Sequence, residues 1–339
     1  MFRTRLCALL GIQYPIIQGG MTWIANAELA AAVSEAGALG LISPNAGAAL
    51  DSNMADNLRR HIRRAKELTA KPVGVNLALN NPGVEELIQV LLDEGIKVVV
   101  SSAGNPATYT ARLKAAGVTV LHVVASVRHA QGAERRGVDA VIAEGYEAGG
   151  HNGLDELATF PMIAQVSRAV KVPVVAAGGI ADARGFVAAL ALGAEGVQMG
   201  TAFIATKECI AHPKFKEALL QAADTGTAIT GRKLAPTRGI KNKVTVQALE
   251  MEARGASAQE LEAFFGAGRA RAGSLEGDME EGELYCGSIA GLIREVLPAG
   301  EVVRRTVHGV AQVLAGLQKE LPPKRTAVCD LLGIQYPII

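Results

Sequence analysis

Short, continuous apolar runs alternate along the chain with longer, Ala-rich stretches of helical period. The runs at 15–18, 39–43, 73–77, 98–102, 119–124, 140–144, 174–177 and 196–199 predict strands. Between them, 27–36, 84–94, 107–116, 127–136, 160–169 and 183–192 predict helices. Continuous rather than alternating runs belong to strands covered on both faces, as in parallel sheets. Eight strand–helix units in a row favour a closed (β/α)8 TIM barrel over an open sheet. A Gly ends several of these helices just before the next strand, at Gly37, Gly95, Gly117, Gly137 and Gly193. A left-handed helix C-cap disfavours a Cβ, which explains the recurrence.

The rhythm breaks from about 207 to 281, a more charged stretch with helical pattern at 214–223, 244–253 and 258–265. It predicts an inserted helical cap over the C-terminal face of a barrel formed by 1–206 and 282–320, the face where active sites of this fold sit. Residues 288–296 and 302–319 predict closing helices. The tail, 321–339, ends in LLGIQYPII at 331–339, an identical copy of 9–17. No partner strands follow the copy, so it is expected to be peripheral or disordered, with pairing to a neighbouring chain as the alternative.

Charge is nearly balanced, with Lys+Arg 34 against Asp+Glu 33 and a net of +1. That argues against a nucleic-acid partner and a polybasic membrane anchor. No apolar run reaches the length of a membrane span. The N-terminal apolar stretch is interrupted by Gly11, Gln13 and Pro15, so no signal peptide is read and a cytoplasmic location is expected. Cys7, Cys209, Cys286 and Cys329 are scattered, which suits free thiols in a reducing compartment and predicts no metal site. Gly makes up 38 of 339 residues, about 11% against ~7% in ordinary proteins. The excess points to tight turns or to backbone lying close to a ligand.

The chemistry-bearing residues cluster at predicted strand ends. The seventh strand runs into Gly178 and Gly179, and the eighth into Gly200 and Thr201. Loops after strands seven and eight of such a barrel commonly bind phosphate, and Gly lets backbone N–H groups approach it. Asp182 reads as the N-cap of the helix that follows. The first strand ends in Gly19, Gly20 and Met21, which leaves room for a flat ligand against backbone. After the sixth strand come Gly149, Gly150 and His151. A His in this glycine-rich, flexible setting at the catalytic face is a candidate general base or hydrogen-bond donor. His122 lies in the fifth strand, and the remaining histidines read as structural or solvated. No GxGxxG, Walker A, GxSxG or HExxH motif is present.

These residues resemble the nitronate monooxygenase (2-nitropropane dioxygenase) family of barrels, which includes enoyl-acyl-carrier-protein reductase II and an NADH:quinone reductase branch. The matching segments are PIIQGGM at 15–21, GVN at 74–76, DAVIAEGYEAGGHNG at 139–153, VPVVAAGGIAD at 172–182, ALGAEGVQMGTAF at 191–203 and GSIAGLI at 287–293. The resemblance implies non-covalent FMN, with Gly178, Gly179, Gly200 and Thr201 on its phosphate. It implies Gly19, Gly20, Met21 and Asn76 along the isoalloxazine ring, Gly149 and Gly150 flanking the flavin, and His151 as catalytic base or orienting residue. Nitronate oxidation with oxygen ranks first among the implied activities. Reduction of an enoyl thioester with NADH or NADPH ranks second, on the EAGGH run and PTRGIKN at 236–242. Quinone reduction ranks third, because Val123 stands where that branch carries Lys. A non-redox barrel binding a phosphate ligand is the reading from another class. The expected partner is a small-molecule substrate, with an acyl-carrier protein only under the second activity and a homodimer as a candidate assembly.

Overall fold

A computed structural model describes residues 4–320 and 330–331. Apart from Leu331, the repeated segment 331–339 lies outside the described residues, as does Cys329. The strands are β1 (Ile16–Gln18), β2 (Gly40–Ile42), β3 (Val73–Ala78), β4 (Val98–Ser102), β5 (Thr119–Val124), β6 (Ala140–Glu144), β7 (Gly150–His151), β8 (Val174–Ala177), β9 (Gly196–Met199), β10 (Thr227–Thr230) and β11 (Thr237–Ile240). Eight of them form one parallel sheet in the order β1-β9-β8-β6-β5-β4-β3-β2. The sheet closes through Leu39, whose N–H donates to Ile16 O and whose carbonyl accepts from Gln18 N, both at 2.9 Å. This is the predicted (β/α)8 barrel.

Strand period two splits the apolar side chains into two sets. Ile17, Leu39, Leu41, Val98, Val100, Leu121, Ile142 and Val175 form the inner cluster. Val75, Val99, Val120, Val141, Ala176 and Val197 belong to the larger cluster with the surrounding helices. Burial on both faces is the physical origin of the continuous apolar runs. A helix the sequence reading did not contain, Arg5–Leu10, adds Leu6, Cys7 and Leu10 to the inner cluster. Gly196 makes room for it, because a Cβ there would lie 2.4 Å from Leu6 Cδ2. The amphipathic helix Met54–Leu68, capped by Asn53, was also not singled out. The five predicted cap glycines all have positive φ, from +65° at Gly95 to +99° at Gly193.

The stretch 207–281 carries the helices Pro213–Gln221, Lys243–Ala253 and Ala258–Phe265. It also carries β10 and β11, an antiparallel hairpin that extends to β7 and makes a three-stranded sheet. Residues 288–296 do not form the predicted helix. A 3-10 segment, Ser288–Leu292, is followed by extended backbone at Ile293. The closing helix runs Ala299–Glu320.

Candidate active site

The loops at the C-terminal ends of the barrel strands enclose a cavity of about 1030 Å³. All the sequence-predicted residues line it: Gly19, Gly20, Met21, Asn76, Gly149, Gly150, His151, Gly178, Gly179, Gly200 and Thr201. The fold brings them together because they lie toward or just beyond the C-terminal ends of parallel barrel strands, which share one face.

The wall at β8 and β9 is built from bare backbone. Gly178 and Gly179 have φ of +88° and +72°. Among the described residues, the N–H groups of Gly178, Gly179, Gly200 and Thr201 donate no backbone hydrogen bond. Unpaired N–H groups at the edge of a cavity suit an anionic group. A Cβ on Gly178 would lie 2.8 Å from Gly145 O, so only Gly lets the β6 and β8 loops approach so closely. Asp182 does cap the next helix, accepting from Arg184 N at 2.9 Å and Gly185 N at 3.1 Å.

At β1, the backbone of Gly20 packs on Asn76, where a Cβ would come 2.2 Å from Asn76 Cβ. Gly19 lies against Gln198, whose Oε1 is buried without a hydrogen-bond partner. Such an orphaned acceptor carries a desolvation cost unless a ligand donor meets it.

His151 is held by a sheet, which replaces the flexible setting read from its flanking glycines. β7 pairs with β11, His151 opposite Thr237 and Gly150 opposite Arg238. Asn152 reinforces the pairing through N–H donation to Pro236 O at 2.7 Å. The imidazole opens to solvent in the cavity, and Tyr285 meets it edge-on at 5.9 Å. Packing around the ring lowers its pKa below the usual 6.5, so the neutral form dominates at neutral pH.

Four further groups enter the cavity without having been given roles from sequence. Glu144, the last residue of β6, has no hydrogen-bond partner among the described residues, and burial pushes its carboxyl up to about 7. Gln198 is a polar residue inside an apolar strand, and that pattern break was its signal. His122 shares a 2.8 Å hydrogen bond with Ser101 Oγ, and burial with neighbouring His129 pushes its pKa down to about 4. Tyr285 gave no signal, because only tertiary folding carries its chain segment to His151. Groups of three or more His, Cys, Asp or Glu placed to hold a metal are absent among the described residues. Cys7, Cys209 and Cys286 are buried free thiols.

A closed barrel with one anion-ready backbone wall and a neutral, sheet-held imidazole defines a ligand-binding barrel with a reaction-competent face. The nitronate monooxygenase family profile matches residues 3–87 and 82–309, and the chain belongs to that family of oxidoreductases. It is 42% identical to the solved structure of FabK from Thermotoga maritima, with TM-score 0.88, over 95% of this chain and 100% of that one. A nitronate monooxygenase of Paraburkholderia phytofirmans is 33% identical over 93% of this chain and 97% of its own. A Mycobacterium tuberculosis 5-hydroxy-7a-methyl-1-oxo-octahydro-1H-indene-4-carboxyl-CoA dehydrogenase is 35% identical over 74% of this chain and 70% of its own.

Proposed function

We propose that the cavity holds FMN and that the chain reduces the carbon–carbon double bond of an α,β-unsaturated thioester with electrons from NADH or NADPH. One observation carries this reading. β11, part of the PTRGIKN segment that resembles the enoyl reductase branch, is the strand that pairs with His151. The similarity to FabK over nearly the whole chain agrees with it. So does a relative whose name specifies a CoA-linked substrate.

The residues present fit FMN. The unpaired N–H groups of Gly178, Gly179, Gly200 and Thr201 would hold its phosphate. Gly19, Gly20, Met21 and Asn76 would lie along the ring, where Gln198 Oε1 awaits a donor. Gly149 and Gly150 would flank it. Bound FMN supplies the hydride acceptor and donor. The chain supplies position and electrostatics. Neutral His151 can donate a ring N–H hydrogen bond to the thioester carbonyl oxygen, where negative charge grows as the double bond is saturated. Tyr285, whose hydroxyl donates to Glu283 Oε2 at 3.0 Å, braces that ring. The proton that completes the α-carbon comes from His151 or from water reaching it through the open cavity.

Nitronate oxidation is the second reading. It is favoured by the near-full-length similarity to a nitronate monooxygenase and by a neutral His151 able to take the α-proton of a nitroalkane. The test is a visible spectrum of the purified protein, then NADH or NADPH without oxygen, then crotonyl thioester. Flavin bleaching by nicotinamide and reoxidation by crotonyl thioester are expected. Oxygen uptake and nitrite release with propionate 3-nitronate, without nicotinamide bleaching, would replace the first reading by the second. A colourless protein that binds no FMN would end both in favour of a non-redox barrel.

A further inference from the structure

The cavity does not stop at the barrel rim. It continues along the helix that follows β5, Val127–Arg135, where Arg128, Gly132, Arg135 and Arg136 line it. Positions i, i+4, i+7 and i+8 share one helical face. Eight residues of helix extend about 12 Å, enough for several phosphates rather than one. Gly132, in the middle of this face, is buried beneath the arginines: Arg136 Nη1 donates to Gly132 O at 2.9 Å, and a Cβ on Gly132 would lie 3.2 Å from that nitrogen.

The arginines are uncompensated. Arg128 and Arg135 have no ion-pair partner among the described residues. The nearest acidic residues in sequence are engaged elsewhere. Glu134 accepts from Val172 N at 3.1 Å, and Asp139 pairs with Lys114. Of the two carboxyls lining the cavity, Glu147 accepts hydrogen bonds from Thr159 N at 2.9 Å and Thr159 Oγ1 at 2.8 Å, and burial favours the neutral form of Glu144. His129, Asn80 and Asn105 also line the cavity.

This face is separate from the glycine wall. β6 stands between β5, which leads into the arginine helix, and β8, which leads into Gly178 and Gly179. An anion on the wall therefore leaves the arginines free. Arg binds phosphate bidentately, and an open cationic row is suited to a polyphosphate.

We propose that the arginine face is a second anion site. It holds the phosphorylated adenosine end of a long substrate whose reactive end reaches His151. The shared chemistry is an adenosine carrying a pyrophosphate and a ribose phosphomonoester, present both in NADPH and in a coenzyme-A thioester. The proposal deepens the functional reading above by naming what anchors the substrate, and its binding test is independent of turnover.

The experiment uses the holo-protein and the variants Arg128→Ser, Arg135→Ser and the double variant Arg135→Ser/Arg136→Ser. Binding of NADP+, coenzyme A, 3′-dephospho-coenzyme A and adenosine 2′,5′-bisphosphate is measured by calorimetry at low and high salt. The wild type is expected to bind at least one phosphomonoester-bearing probe. The double variant should lose about tenfold or more in affinity, with unchanged flavin content and thermal midpoint. Loss confined to NADP+ assigns the site to the nicotinamide donor, and loss confined to coenzyme A assigns it to the thioester. With the flavin reduced by dithionite, crotonyl-N-acetylcysteamine, which lacks the nucleotide, should reoxidise it equally in wild type and variants. Tight coenzyme A binding through the arginines with no thioester turnover would keep the site and remove the reaction. Equal affinities in wild type and double variant, or an arginine-dependent gain seen only with an acidic carrier protein, would overturn the proposal.

Discussion

Two adjacent glycines separate two causes of glycine dependence. A Cβ on Gly149 would lie 2.5 Å from the Cys286 carbonyl carbon, 2.6 Å from its Cα and 2.7 Å from Gly287 N. All three are backbone atoms, and the segment cannot retreat freely. Gly287 N donates to Thr201 Oγ1 at 2.8 Å, and Ser288 N donates to Glu147 O at 2.9 Å. Gly149→Ala therefore forces overpacking and threatens two hydrogen bonds, a cost of about 2–4 kcal/mol. Gly150 is the opposite case: nothing lies within 4 Å of its missing Cβ, but its φ is +79°. Gly150→Ala costs only the left-handed conformation, about 1–2 kcal/mol. Over 339 residues the unfolding entropy is about 0.7 kcal/mol/K, so the midpoints should fall by about 3–6 °C and about 1.5–3 °C. Gly149→Ala should also lose bound flavin, because the displaced Gly287 sits against Thr201. Scanning calorimetry with absorbance at each midpoint reads both. The reasoning fails if Gly149→Ala melts no lower than Gly150→Ala, or if Gly150→Asn, which tolerates positive φ, is as damaging as Gly150→Ala.

His151→Ala should retain flavin and lose about 10²–10⁴ in turnover. Proton abstraction from a nitroalkane by His151 should fall as pH drops through a value below 6.5, where the imidazole becomes protonated, whereas thioester reduction, which needs only a ring N–H donor, should show no such limb; an identical acid limb in the variant would remove His151 from the nitroalkane reaction. Glu144 has its pKa raised by burial from 4.5 to about 7, so the fold favours its neutral form. Its stabilising contribution is present at acid pH and is lost as pH rises through about 7. Glu144→Gln keeps the neutral shape and should gain stability over wild type from pH 5 to pH 8, by at most about 3 kcal/mol. A difference in melting temperature that stays constant over that range would show that Glu144 does not titrate in the fold.

Local pattern was enough for the barrel. The eight barrel strands lie where the apolar runs placed them, within a few residues, because a strand buried on both faces must be apolar throughout. The cap glycines and Asp182 were legible for the same reason: a left-handed turn and an N-cap are decided by residues adjacent in sequence. The glycine pairs at strand ends and His151 were legible as well, since a parallel barrel carries every strand's C-terminal end to one face. What only the tertiary structure decided are the contacts between distant segments. β11 fixes His151 through a strand pairing that neither segment encodes alone. Gly149 is required because Cys286 lies against it, and Tyr285 reaches His151 by the same approach. The arginines at 128, 135 and 136 look like an ordinary solvated helix face in sequence. They line the cavity only because it opens onto that helix, and Asp139, close by in sequence, pairs with Lys114. Periodicity reports which face of an element is buried; it carries no information about which distant segment covers the other face.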